Sequence, residues 1–158
     1  MRRKDREVTE IREIIEIIEK CDVCRLALFA EQYPYIVPLN FGFIYDGAML
    51  TLYFHGAKSG TKLELIKQNP HAGFAMDCAH RLIAREKACN YSMAYESVVG
   101  YGDIEFVLDI EEKHRALRQL MAHYVPEQEF DFDTQDLAAV TVFKLIVRQV
   151  TGKRVTVS

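Results

Sequence analysis

Asp46-Gly47 stands between two runs that read as strands, residues 35–45 and 48–54, and is a strong two-residue hairpin signal. Two residues can only fold a strand back on itself, so this pair is antiparallel. The rest of the chain repeats the theme. Residues 23–30 form an apolar run of strand length, 72–77 a short one, 95–107 a long one, and 140–150 a run rich in β-branched residues. Gly100 and Gly102 are the expected bulge or bend points of the long strand. Helices separate some of these runs. Ile11, Ile14, Ile15 and Ile18 recur at i, i+3, i+4 and i+7, which predicts an amphipathic helix over about residues 9–20. Residues 61–68 form a second helix, ended by Asn69-Pro70. Asp109 and Glu112 have capping-box spacing and open a third, running to about Tyr124. Residues 126–136 carry five acidic side chains and no basic one; the expectation is a solvated loop, with a lid over a cleft as the other reading.

About six antiparallel strands with flanking helices make an α+β chain, mainly β, in which closure into a barrel would remove exposed edges. Spacing alone does not separate this barrel from other small ones. The 158 residues carry no linker or repeat, so residues 1–158 read as a single domain, able to bury roughly 70% of the surface it exposes when unfolded.

Charge and composition exclude several classes of function. A formal net charge of −3 provides no general nucleic-acid surface. The basic start, Met1-Arg2-Arg3-Lys4, is interrupted by Asp5 and followed by no apolar stretch; the expectation is neither signal peptide nor membrane span, and a cytoplasmic protein. Four cysteines are expected as reduced thiols. Cys21 and Cys24 have C-x-x-C spacing, but their only candidate partners, Cys78 with His80 or Cys89, are irregularly spaced, so the expected metal set is none. His114 and His123 are nine residues apart on one predicted helix and fall on opposite faces.

The segment His55-Gly56-Ala57-Lys58-Ser59-Gly60-Thr61-Lys62 is the strongest site signal. Glycines let backbone N–H groups approach a ligand, a helix N-terminus attracts anions, and Lys58 and Lys62 lie one turn apart. Together they suit a phosphate group, and equally a polar turn before a surface helix. The spacing is not that of a Walker A loop, because Gly56 and Gly60 are too close and Thr61 precedes Lys62.

Several stretches, taken in order, resemble the 5-nitroimidazole-resistance branch of the pyridoxamine 5'-phosphate oxidase-like, FMN-binding split-barrel proteins. They are Cys24-Arg25-Leu26-Ala27-Leu28, then Pro34-Tyr35-Ile36-Val37-Pro38-Leu39-Asn40-Phe41-Gly42-Phe43, then residues 52–62. Ala88-Cys89-Asn90-Tyr91, residues 95–102 and Val150-Thr151-Gly152-Lys153-Arg154 complete the set, which covers nearly the whole chain. The resemblance implies a split β-barrel, and a homodimer with a flavin in each of two clefts at the subunit interface. The cofactor it implies is FMN, with FAD the alternative. It places Pro38, Leu39, Asn40 and Phe41 along the isoalloxazine, His55, Gly56 and Ala57 near the ring and ribityl chain, and Lys58, Gly60 and Lys62 at the phosphate. Tyr95, Glu96, Ser97 and Val98 would contact the flavin from a second strand, and Lys153 and Arg154 would complete the site, if need be from the partner subunit. Leu39, Phe41 and Val98 would serve as apolar walls, and His55 would be the catalytic residue, touching an electron-accepting substrate. The implied activity is a flavin-dependent oxidoreductase passing electrons from a small-molecule donor to a small acceptor, such as a 5-nitroimidazole. The alternatives are a non-catalytic flavin- or haem-binding module and a zinc or thiol-redox protein.

Overall fold

Every strand pairing in the computed structural model, which describes residues 3–156, is antiparallel. Met1 and Arg2 of the basic start lie outside the described residues. The elements run β1 (Glu7–Val8), α1 (Ile11–Glu19), β2 (Cys24–Leu28), β3 (Tyr35–Leu39), β4 (Gly42–Tyr45), β5 (Leu50–Gly56) and α2 (Thr61–Gln68). They continue with β6 (His71–Ile83), β7 (Ser92–Phe106), α3 (Ile110–Tyr124), α4 (Thr134–Ala139) and β8 (Thr141–Val155).

The sheet path is β3-β2-β6-β7-β8-β5-β4, with β1 laid against β8. Its two outermost strands, β3 and β4, are neighbours in the chain, joined only by Asn40 and Phe41. A two-residue link spans at most about 10 Å between its flanking Cα atoms. The sheet must therefore curl until its edges almost meet, yet β3 and β4 do not pair. The result is a barrel split along one seam, as the resemblance implies.

The expected strands are all present, but their limits differ for identifiable reasons. Residues 35–45 divide into β3 and β4 because the chain turns the barrel corner at Asn40-Phe41. The hairpin turn sits one residue later than expected. Tyr45 pairs with Leu50, and Asp46 donates its N–H to the Met49 carbonyl at 3.3 Å, leaving Gly47 (φ 96°) and Ala48 at the tip. The Asp46 carboxylate receives the N–H groups of Ala48 and Met49 at 2.9 and 2.8 Å, a side-chain turn that outcompetes the tighter one. β6, β7 and β8 extend past their predicted ends, and β6 carries an irregularity between Cys78 and Arg81, with Ala79 at φ 56°. The register of β7 on β8 shifts between Tyr101 and Gly102, where a bulge was expected. A Cβ at Gly102 would stand 2.1 Å from the Ile146 carbonyl oxygen, so the close approach of the two strands requires glycine there.

The main core fills the barrel. Leu26, Phe41, Leu52, Phe54, Phe74, Met76, Val98, Phe143 and Leu145 interlock, with the Phe54 and Phe143 rings stacked at 5.3 Å. Each such side chain contributes about 1.5–3 kcal/mol by leaving water. α1 closes one end with Ile14, Ile17 and Ile18. A second, smaller core lies between α3, α4 and the barrel wall, and holds Tyr53, Val107, Ala116, Leu117, Leu137 and Val142. α3 starts as predicted, with the Asp109 carboxylate accepting from the Glu112 N–H at 2.8 Å. α4 was not foreseen. The end of the acidic stretch is a capping box in which Asp133 and Asp136 exchange hydrogen bonds, and the helix buries Leu137.

Candidate functional site

Alternation along β5 decides what each side chain faces. Leu52 and Phe54 enter the barrel core, so Tyr53 and His55 face outward, toward α3 and α4. His55 pairs with Val142 and Gly56 with Thr141, at the last rungs of the β5–β8 ladder. The chain then leaves the sheet as a loop and enters α2 at Gly60, whose φ of 139° favours glycine. No side chain caps the first turn of α2, so its leading N–H groups stay available. Lys62 folds back over the loop: a Cβ at Gly56 would meet its Cε at 2.8 Å and its Nζ at 2.9 Å. Gly56, Gly60 and Lys62 thus form one cradle.

His55 lines a cleft of about 390 Å³ with Leu117, Leu120, Met121, Phe132 and Val140. Its Nδ1 is buried and, among the described residues, has no hydrogen-bond partner. Such an atom is costly unless a ligand or water satisfies it. Burial first, and then the Lys62 charge, lower the His55 pKa, which keeps the imidazole neutral near pH 7. The acidic stretch forms one wall of this cleft through Asp131, Phe132 and Asp136, held by His114 and Arg118, which reach Asp131 at 2.8 and 3.0 Å.

The predicted site residues fall into two groups. Gly42 pairs with Tyr53, so Asn40 and Phe41 come alongside the end of β5 that carries His55. The first group is therefore the β3–β4 corner with residues 55–62. The Phe41 ring is fully buried against His123 at 4.4 Å, and its backbone N–H donates to the Tyr124 hydroxyl at 3.2 Å. Its side chain is core rather than an open wall, and so is that of Val98, leaving half-buried Leu39 as the apolar side chain of the expected three that is not fully enclosed. Pro38 is exposed on β3, opposite Arg25.

The second group lies on β7 and the end of β8. Tyr95, Glu96, Ser97 and Val98 pair with Val155, Arg154, Lys153 and Gly152. Lys153 holds its ammonium 5.5 Å from the Tyr95 ring centre. Glu96 is paired with Lys20 and accepts from Arg154 Nε at 2.5 Å, while Arg154 Nη1 reaches Glu13 at 2.7 Å. Burial alone would raise the Glu96 carboxyl, but hydrogen bonds from Lys20 and Arg154 outweigh it and hold the pKa below the usual carboxylate range. Val142 and Gly152 are ten residues apart on β8, a separation of roughly 30 Å along the strand. The loop of residues 55–62 is therefore far along β8 from residues 152–154, whereas Pro38 shares a rung with Arg25, Ala75, Val99 and Thr151.

The cysteines take a different part. Cys21 and Cys24 are fully buried free thiols, and Cys21 donates to the Ile17 carbonyl at 3.2 Å. Burial pushes the Cys24 thiol up to about 12 and Cys21 in the same direction, which suppresses the reactive thiolate. Among the described residues no group of three or more His, Cys, Asp or Glu side chains is placed to hold a metal, and no helix is long and apolar enough to cross a membrane.

Sequence reasoning missed Lys113. Its ammonium donates to the Val140 carbonyl at 2.6 Å, one residue before the Gly56–Thr141 pair. Nothing in the helical pattern of α3 marks it; only the return of β8 beside β5 brings it near the loop.

Residues 10–154 match the sequence profile of the pyridoxamine 5'-phosphate oxidase family. Among solved structures, a candidate 5-nitroimidazole antibiotic resistance protein from Bacteroides thetaiotaomicron is 34% identical, with a TM-score of 0.81, covering 93% of this chain and 85% of that one. The FAD and heme binding protein from Mycobacterium smegmatis shares the fold at 18% identity, with a TM-score of 0.83 over 94% of this chain and 73% of that one. So does the flavocytochrome Anf3 from Azotobacter vinelandii, at 18% identity and a TM-score of 0.81, over 99% of this chain and 72% of that one. No curated protein matches. With a profile that spans residues 10–154 and a barrel split between β3 and β4, the chain belongs to the pyridoxamine 5'-phosphate oxidase family.

Proposed function

We infer that this protein is a flavin-dependent oxidoreductase that binds FMN between two copies of the chain and passes electrons to a small acceptor held beside His55. The observation that carries the reading is the cradle of Gly56, Gly60 and Lys62 beside a buried, unpartnered His55 Nδ1. Both features suit a phosphorylated ligand that leaves a polar group near the imidazole. The M. smegmatis structural relative is named for FAD and heme, which supports a flavin and keeps FAD as the alternative to FMN.

A bound flavin supplies the electron transfer through its ring. The residues of this chain hold and orient it. Lys58, Lys62 and the free N–H groups of α2 offset the phosphate charge. The Asn40-Phe41 corner presents backbone to the ring. Neutral His55 offers Nδ1 as a hydrogen-bonding atom to the acceptor, with apolar walls from α3 and Phe132 on one side and Asp131 and Asp136 on the other. A nitroaromatic such as a 5-nitroimidazole is an acceptor of suitable size and polarity.

A homodimer is supported by the separation of the 55–62 loop from Lys153 and Arg154 along β8. Lys153 and Arg154 reach the flavin of a partner, since roughly 30 Å of β8 separates them from the loop of their own chain. The outer face of β3, β6 and β7 supports the pairing, because Ile36, Leu82, Val99 and Tyr101 are exposed there. Its partners in this reading are a small-molecule electron donor and a small-molecule acceptor.

The test is an absorption spectrum of the purified protein before and after addition of FMN, with chromatography of the heat-released pigment to separate FMN from FAD. Flavin bands and oxidation of a reduced nicotinamide in the presence of an acceptor are expected. Flavin bands without turnover would leave a binding module, and a colourless protein that takes up neither flavin would overturn the reading.

A further inference from the structure

Lys113 stands outside every residue set considered above for the flavin, yet the fold delivers it to the loop. α3 begins directly after β7, and β8 returns beside β5 so that Thr141 pairs with Gly56. Continuing that register sets Val140 across from Ala57. Lys113 Nζ is fixed on the Val140 carbonyl at 2.6 Å, which places an ammonium group across from the start of the loop that carries Lys58. An ammonium has three donors, and this one uses a single donor on protein. Among the described residues Lys58, Lys62 and Lys113 form no ion pair, although the neighbouring Lys144 pairs with Glu112 at 2.7 Å and Glu105 at 3.5 Å. Burial, and then the Lys58 charge, lower the Lys113 pKa, as expected when like charges gather with no anion between them. Neighbouring cations without carboxylate partners make a positive field that favours an anion and its charge-assisted hydrogen bonds.

We propose that Lys113 is the third cation of the phosphate site formed by the Gly56–Lys62 loop, and that it makes the protein prefer a phosphorylated flavin over the same flavin without phosphate. The proposal rests on the flavin reading above. Lys113 acts on the phosphate and not on the isoalloxazine, so its contribution belongs to FMN and is absent from riboflavin.

The experiment titrates flavin-free protein with FMN and with riboflavin, following quenching of flavin fluorescence, for wild type, Lys113→Met and Lys113→Arg. Lys58→Met serves as an exposed companion that breaks no protein hydrogen bond. Wild type should bind FMN more tightly than riboflavin. Lys113→Met should reduce that preference about tenfold, equivalent to about 1.4 kcal/mol, with riboflavin affinity unchanged. Lys113→Arg should restore part of the preference, and Lys58→Met should reduce it in the same sense. An unchanged FMN-to-riboflavin ratio in Lys113→Met overturns the proposal and leaves the flavin reading standing. Equal weakening of both flavins also overturns it, because that is the effect of a structural lysine. If inorganic phosphate raises the thermal midpoint through Lys113 while the flavin ratio stays unchanged, the site reads free phosphate and the proposal fails. Wild type that takes up neither flavin overturns the functional reading, and this inference with it.

Discussion

The two ends of the β7–β8 barrel wall both gather cations, and they treat them differently. At the Glu96 end, Lys20 and Arg154 converge on one largely buried carboxylate, and Arg154 also reaches Glu13. Each member of that cluster has an opposite neighbour, while Lys153 beside it lies against the Tyr95 ring. At the His55 end, Lys62 lies near His55 and Lys58 near Lys113, none of the three lysines forms an ion pair among the described residues although Asp131 and Asp136 line the same cleft, and the His55 Nδ1 is unpartnered. A network that satisfies itself stabilises a fold and orients whatever approaches it. A cluster left unsatisfied costs stability, and it persists where a ligand completes it. The difference supports the proposal that the His55 end binds a ligand within its own chain, whereas the Glu96 cluster is held by its own ion pairs.

The largest expected effect comes from the point that joins the two ends. Gly102→Ala forces a Cβ against the Ile146 carbonyl, where backbone must move. A loss of about 3 kcal/mol or more is expected in urea unfolding, with both ends disturbed. A variant as stable as wild type would refute the strand contact.

Glu96→Gln tests the satisfied end alone. Two cations lose their carboxylate, and a loss of about 2 kcal/mol is expected, reduced from the fully buried case because Lys20 is half exposed. The pH dependence has a definite sign. The folded carboxyl titrates below its unfolded value, so its stabilisation is present above about pH 4.5 and is lost as the pH falls through the folded pKa. Thermal melts of wild type should therefore fall in acid more steeply than those of Glu96→Gln. Parallel curves would show that the cluster contributes nothing.

Lys62→Ala tests the unsatisfied end. FMN should bind about tenfold more weakly, while thermal stability without flavin holds steady or rises slightly, because a like charge has been removed. A fall in stability without a change in FMN affinity would reverse the contrast between the two ends.

The smallest effect concerns His55. Its folded pKa lies below the unfolded value, so the unfolded state takes up protons first as the pH falls. The stability this provides is complete above about pH 6.5 and is lost on acidification. His55→Phe should flatten the midpoint between pH 7.5 and pH 5.5 by under about 1 kcal/mol. It should also impair turnover while flavin is retained.

Much of this architecture is legible from local pattern. The stripe of isoleucines in α1, the Asp109 cap of α3 and the Asn69-Pro70 stop of α2 are each short-range signals, and each forms where expected. The hairpin at Asp46 was displaced by one residue because a side-chain turn competed with the two-residue turn. α4 was hidden because its capping box is written in aspartates, inside a stretch whose acidity reads as loop. The site was legible in part. The glycines and lysines of residues 55–62 mark a loop that can approach an anion, but nothing local shows that Lys62 folds over Gly56 or that Lys113 arrives from another element.

The sequence by itself determined the antiparallel strands, the helix ends and the anion-suited loop, because these depend on periodicity, capping and turn chemistry within a few residues. Only the tertiary structure decided that Phe41 and Val98 are core, that Glu96 and Arg154 engage each other, and that β3 and β4 form the barrel's open seam. It also decided that the loop after β5 and residues 152–154 lie at opposite ends of β8, a matter of register between strands distant in the chain. Burial and pairing of that kind come from contacts that no local window contains.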